Sequence, residues 1–255
     1  MFYYLLFFNN IKKMELYISI SEKLKELKEK KLDNKKKIVL LTTGALNPIH
    51  IGHLNILKIA ADNLIKKGYE ILCCFISPSS DDYLNYKKNW TKNFVYFPFE
   101  LRLEMLKIAI KEYNNNENNK KYNITIHDWE GRQDGPWIDA PFVKEHIEED
   151  IKKYFPNEEI FTYYVCGSDN YNKYNGMEGV DIVVINRKGE KIKYNNKGNR
   201  ELFVFENDFE TDEMNSTEIR NELMKNNNKI NEKLYKLIYP SVLSFAKKNI
   251  NKMII

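Results

Sequence analysis

Apolar positions along this chain follow two rhythms. Residues 38–43 (Ile-Val-Leu-Leu-Thr-Thr) form a continuous apolar run, the pattern of a strand buried on both faces, and Gly44 ends it. From about Ile51 to Lys67, Leu54, Leu57, Ala61, Leu64 and Ile65 recur at helical spacing, and Lys66, Lys67 and Gly68 close the run. Glu70 to Ser77 is strand-like again and stops at Pro78. Strand, helix and strand in immediate succession predict a βαβ unit with a right-handed crossover.

The same alternation continues. A helix is predicted from Pro98, with Leu101, Met105, Ile108 and Ala109 on one face. Strands are predicted at 122–127, 159–166, 181–185 and 202–205, and helices at 141–154, 216–226 and about 240–249. Alternating strands and helices imply an α/β fold, a Rossmann-like doubly wound parallel sheet with helices at its C-terminal end. One domain over 38–250 is expected. Residues 1–37 read as an N-terminal extension, with an amphipathic Lys/Glu-rich helical arm at 14–37 whose charges form a solvated face, and 251–255 as a tail. The Asn-rich run 114–119 reads as a surface loop.

Composition narrows the class. The 255 residues are 43% hydrophobic and 30% charged, a globular balance. Forty basic against 36 acidic residues leave +4, too even for a nucleic-acid coat. No apolar run reaches transmembrane length, so no membrane partner is expected. Three cysteines, two of them adjacent, form neither a disulfide framework nor a metal-ligand spacing. A reducing compartment, cytoplasmic or nuclear, is the simpler expectation. Phe2 to Phe8 is apolar and is followed by Lys-rich sequence, the reverse of a secretory leader; it reads as a packing tail or as residues ahead of a start at Met14. Oligomeric state is left open, with a homo-oligomer possible.

The first strand–helix turn carries the chemistry. It reads Thr43-Gly44-Ala45-Leu46-Asn47-Pro48-Ile49-His50-Ile51-Gly52-His53. In open α/β sheets ligands bind beyond the C-terminal strand ends, and a helix N-terminus there suits phosphate. Gly44 permits close backbone approach. His50 and His53, two of only four histidines, lie three apart and face one ligand from the first helical turn, with Gly52 keeping the space between them open. An imidazole donates to phosphate, and its cationic form adds charge. The turn is neither a Walker A loop nor G-x-G-x-x-G.

The His50-Ile51-Gly52-His53 stretch resembles the signature of the HxGH nucleotidylyltransferases. The second signature of that superfamily stands here as Asn215-Ser216-Thr217-Glu218-Ile219-Arg220. Ser216 or Thr217 is expected to cap the helix, and Arg220 to reach the same anion bidentately. The resemblance is strongest to eukaryotic-type nicotinamide mononucleotide adenylyltransferases and runs from about residue 38 to 250. Its further matches are Ser77-Pro78, Asp82-Tyr83, Lys87-Lys88, Arg102, Asp128-Trp129-Glu130, Cys166-Gly167-Ser168-Asp169 and Tyr239-Pro240. The resemblance implies transfer of AMP from ATP, with Mg²⁺, to the phosphate of a pyridine mononucleotide. It makes His50, His53 and Arg220 the catalytic residues and Gly44, Ala45, Asn47, Gly52, Ser216 and Thr217 the phosphate site. It gives Gly167 and Asp169 to a ribose, and Lys87, Lys88, Trp129 and Trp137 to the acceptor, and it implies no protein metal ligands. Lys87 and Lys88 are placed on a polar loop after the second strand.

One departure bears on the acceptor. The family carries a second Trp after its Gly-Ala-Asp; residues 170–177 here have none, and Tyr171 and Tyr174 are the rings available. The alternatives are therefore the same chemistry on nicotinic acid mononucleotide, phosphopantetheine, FMN or a CTP-dependent alcohol phosphate, or a nucleotide-binding module without turnover. A tRNA synthetase fragment shares the histidine signature but needs more chain.

Overall fold

The computed structural model of the chain describes residues 20–30, 32–135, 138–174, 177, 179–187, 189–193, 201–207, 215–225 and 232–254. Among them a six-stranded parallel sheet runs in the order β3-β2-β1-β4-β5-β6. The strands are β1 (Lys37–Gly44), β2 (Glu70–Pro78), β3 (Ile124–Ile126), β4 (Ile160–Gly167), β5 (Asp181–Asn186) and β6 (Leu202–Glu206). The helices are α1 (Ile20–Lys28), α2 (Ile51–Lys66), α3 (Asp81–Trp90), α4 (Phe99–Asn114), α5 (Glu117–Lys120), α6 (Ala140–Tyr154), α7 (Ser168–Tyr174), α8 (Ser216–Met224), α9 (Glu232–Leu237) and α10 (Pro240–Lys248). The expected doubly wound fold is thus observed. The strand order reverses between β1 and β4, and that switch point opens a crevice at the C-terminal strand ends.

The run at 38–41 is apolar throughout because both faces of β1 are covered. Ile38 and Leu40 point into a core shared with Leu54, Leu57, Ala61 and Leu64 of α2, Leu103 and Leu106 of α4, and Val242 and Leu243 of α10. Val39 and Leu41 point to the opposite core, made with Val143, Ile147 and Ile151 of α6. All four β1 side chains are at most 1% exposed. The second core also takes Leu24 and Leu27 of α1, so the apolar stripe of the N-terminal segment lies against the sheet layer.

Two local features differ from expectation. Residues 81–90 are helix α3, not loop, so Lys87 and Lys88 lie in its last turn. Its only buried side chain among the named core is Leu84, too little apolar periodicity to signal a helix. The Asn-rich run contains the single turn α5, started by Asn116, whose side chain accepts from the Asn118 amide. Among the described residues, no helix is long and apolar enough to cross a membrane. Cys73, Cys74 and Cys166 are free, buried thiols.

Because Leu24 is 1% exposed, replacing it with Ala is expected to cost about 2–5 kcal/mol. Urea denaturation measures this; an unchanged midpoint would mean that α1 adds nothing to the core.

Candidate active site

The β1–α2 turn is held open by two buried arginines reaching it from different helices. Arg102 of α4 is fully buried and donates from Nε to the Phe97 carbonyl at 3.0 Å and from Nη1 to the Ala45 carbonyl at 2.8 Å. Its third contact is Nη2 to Asp81 Oδ1, 2.9 Å, and the other Asp81 oxygen accepts the Phe99 amide at 2.9 Å. Arg102 therefore brings its own counter-ion. Arg220 of α8 is 5% exposed and donates to the Asn47 carbonyl at 2.6 Å and to Thr217 Oγ1 at 3.1 Å. Both of those acceptors are neutral, and among the described residues no carboxylate pairs with it. Burial pulls the guanidinium down to about 10. A desolvated cation with neutral partners is costly unless an anion arrives to neutralise it.

The clamps have a local reason. Leu46 sits at φ +46, a left-handed conformation that costs an L residue about 1–2 kcal/mol. It lies between the two carbonyls that the arginines hold. Asn47 was expected at the phosphates, but its side chain is committed elsewhere. Its Nδ2 donates to the Val95 carbonyl and its Oδ1 accepts from the Phe97 amide, both at 3.0 Å, and it is 1% exposed. It shapes the turn. Ser216 and Thr217 do not cap α8; Asn215 does, accepting the Glu218 amide at 2.8 Å. Ser216 Oγ instead donates to the Pro48 carbonyl at 3.0 Å, pinning the start of α8 to the turn. Gly44 ends β1 with its carbonyl accepting the Ser79 amide.

The two histidines sit where the turn enters α2. His50 is the N-cap residue, and His53 Nδ1 accepts the His50 backbone N–H at 3.1 Å. That bond fixes the neutral His53 tautomer with its proton on Nε2. The rings lie 3.7 Å apart, with Gly52 between them in the first turn. His50 Nδ1 is buried and has no hydrogen-bond partner among the described residues. Burial holds His50 well below the ordinary histidine range, with lesser effects from His53 and Arg187. Burial also brings His53 down to about 4, with Arg187 adding and Asp169 opposing. At neutral pH both are uncharged donors rather than the cations that the sequence allowed.

Further groups converge on this point. Lys87 Nζ and Arg220 Cζ lie 5.4 and 5.2 Å from the centre of the Phe94 ring. Burial lowers the Lys87 pKa, with Lys173 and Arg220 adding to the effect. Lys88 follows Lys87 on α3, about 100° around the helix axis, and faces another direction. Asp169 opens α7 after β4 and lies 3.7 Å from Arg187, which follows β5. Its carboxylate folds back over Gly167, where a Cβ would meet Asp169 Oδ1 at 2.6 Å. Arg187 and Lys173 were not singled out from sequence. Only an Arg closing an apolar strand run at this sheet edge offered a signal.

Two expected acceptor contacts stand apart. Trp129 stacks on His146 at 4.2 Å and 15°, so one face of the indole is covered by protein. Tyr171 is 2% exposed and belongs to the core. Trp137 lies outside the described residues, and so does the side chain of Tyr174. Glu130, from the same segment as Trp129, is buried and accepts Ser77 Oγ at 2.7 Å. Burial pushes its carboxyl up to about 7 against the pull of Ser77, Ser79 and Arg102.

A cytidylyltransferase-like family model matches residues 41–222, from β1 through the Arg220 helix. The chain belongs to the cytidylyltransferase-like family. This bears out the relationship read from the His50–His53 and Asn215–Arg220 signatures. A probable nicotinate-nucleotide adenylyltransferase of Helicobacter hepaticus is 26% identical over 160 residues, 59% of this chain and 66% of that protein. A nicotinamide/nicotinic acid mononucleotide adenylyltransferase of Arabidopsis thaliana is 25% identical over 139 residues, 54% of this chain and 51% of that protein. The chain thus spans between half and just under two thirds of the curated relatives it matches. The fold is that of a Plasmodium falciparum nicotinic acid mononucleotide adenylyltransferase solved with NaAD, at a TM-score of 0.58, 18% identity and 84% and 97% coverage of the two chains.

The depressed histidines set a pH dependence. The unfolded chain takes up protons below about 6.5 that folded His50 and His53 refuse, so stability is full above that pH and declines as the pH falls toward 4. Urea midpoints at pH 7 and 4.5 are expected to show the decline, and His53→Asn to reduce it. Equal declines in the variant and the wild type would contradict the assignment.

Proposed function

We propose that the chain is a mononucleotide adenylyltransferase. It joins the 5′-phosphate of nicotinamide or nicotinic acid mononucleotide to the AMP of ATP, releasing pyrophosphate and making NAD or its acid form. The observation that carries the reading is Arg220: a buried guanidinium that meets no carboxylate among the described residues and holds the Asn47 carbonyl of the turn leading into His50 and the α2 N-terminus. That arrangement fits a polyphosphate. The family and the relatives' names favour a pyridine mononucleotide as acceptor.

An acceptor phosphate is already an oxyanion, so it attacks the α-phosphorus without a strong base. Catalysis is then positioning and charge stabilisation. The Nε2–H of His53 and the first amides of α2 donate to phosphate oxygens where negative charge grows. Arg220 neutralises the departing pyrophosphate, with Lys87 as a second cation against the same Phe94 ring. Asp169 accepts hydroxyls of a ribose at the end of β4. The described groups nearest the histidines are cations and neutral donors apart from Asp169, so Mg²⁺ is expected to enter as part of the Mg²⁺–ATP substrate. It keeps waters and phosphate oxygens as ligands, as its hydration favours. Three free, buried thiols fit a cytoplasmic or nuclear setting.

The test is pyrophosphate release from Mg²⁺–ATP by the purified protein. The acceptors are nicotinamide mononucleotide, nicotinic acid mononucleotide, phosphopantetheine and FMN. Release with a pyridine mononucleotide is expected, and His53→Ala should lower turnover about 10²-fold or more. Release only with another acceptor would discard the substrate; ATP binding with no release would leave a binding module.

Nucleotide binding should also be coupled to protons. A phosphate anion against His53 favours its charged form, so binding near pH 6 is expected to take up protons. Calorimetry in two buffers of different ionisation heat measures this. Zero uptake would mean that the phosphates do not touch the imidazoles.

A further inference from the structure

The other two histidines of the chain meet on the far side of the sheet from α2. His127 follows β3, and its amide donates to the Ile76 carbonyl of β2 at 3.0 Å, which fixes its backbone; the residue is 2% exposed. His146 and Asp150 lie one turn apart on α6, so both side chains share one helix face. His127 Nε2 is 3.1 Å from His146 Nδ1, and His146 Nδ1 is 3.8 Å from Asp150 Oδ2. The three donor atoms lie within 4.8 Å of one another.

We infer that His127, His146 and Asp150 bind one borderline divalent cation such as Zn²⁺, linking the end of β3 to α6. Metal–ligand bonds of about 2.0–2.2 Å in a tetrahedron separate donors by about 3.3–3.5 Å. The two measured separations bracket that range, so the donors are nearly in place. Two imidazoles and a carboxylate suit Zn²⁺ and its neighbours; Mg²⁺ and Ca²⁺ prefer all-oxygen shells.

The surroundings orient each donor. Trp129 stacks on the His146 ring at 4.2 Å and 15° and holds Nδ1 toward His127. Lys153 takes the other Asp150 oxygen at 2.9 Å, leaving Oδ2 turned toward His146. The 3.1 Å contact requires one of His127 Nε2 and His146 Nδ1 to carry a proton, and a bound cation would replace that proton and take both lone pairs. His127 Nδ1 is buried with no hydrogen-bond partner among the described residues and would carry the remaining ring proton. A bound cation would fix Trp129 and the segment after β3. It would leave the phosphate site untouched, so this inference stands or falls independently of the proposed reaction.

The test is a Zn²⁺ titration of the full chain, first stripped with a chelator, against a chromophoric competitor. One equivalent is expected to bind. Both His146→Ala and the isosteric Asp150→Asn should weaken binding at least tenfold. A His50→Asn/His53→Asn double variant, lacking the other two imidazoles, should keep it. Co²⁺ should give the strong visible absorption of a tetrahedral site in the wild type and lose it in Asp150→Asn. No stoichiometric Zn²⁺ binding by the wild type would overturn the inference. So would binding that survives both α6 substitutions, or binding that disappears with His50 and His53.

Discussion

Everything at the candidate site depends on how the turn between β1 and α2 is held. Two guanidiniums grip it from outside, one on the Ala45 carbonyl and one on the Asn47 carbonyl. The two are not equivalent. Arg102 is neutralised by Asp81 within the fold, which makes it a structural element. Arg220 is buried as well, yet among the described residues it meets a carbonyl, a hydroxyl and the Phe94 ring but no carboxylate. With no carboxylate on it among the described residues, Arg220 is the ground for the anion site proposed above. A phosphate entering there would recover the free energy of the buried ion.

The histidines follow from the same turn. Once the backbone is fixed, the His50 and His53 rings lie close together, tilted by 35°, at the α2 N-terminus, and the bond from His50 N–H to His53 Nδ1 decides which nitrogen keeps the proton. Burial keeps both neutral in the free protein. Positive charge therefore comes from Arg220, Lys87 and Arg187, contributed by α8, α3 and the residue after β5. The switch-point topology is what brings those distant segments to one edge of the sheet.

How much could be read in the chain beforehand depended on whether the signal was local. β1 and α2 are written in runs of a few residues, and the His50–His53 pair needs only one helical turn, so these were legible. Partnerships across the fold were not. Nothing near Asn47 announces that its side chain belongs to Val95 and Phe97. Arg102 stands out in the chain as a matching basic position, but its counter-ion Asp81 belongs to another element and cannot be read from sequence. Ser216 and Thr217 resemble caps, yet the preceding Asn215 satisfies the amide because its extended backbone starts the helix one residue earlier. Trp129 reads as a free stacking surface, whereas His146 occupies one face from α6. α3 was missed because its polar sequence gains its helical form from a Ser80 cap and one buried Leu84.

The central claim is that Arg220 awaits a phosphate. Thermal unfolding of wild type and Arg220→Met, with and without Mg²⁺–ATP, tests it most directly. The variant should still fold, losing about 1–3 kcal/mol for the carbonyl left without a donor. Mg²⁺–ATP should raise the wild-type midpoint and leave that of Arg220→Met where it was. If Mg²⁺–ATP stabilises the variant as strongly as the wild type, the uncompensated arginine is not the phosphate anchor and the account fails.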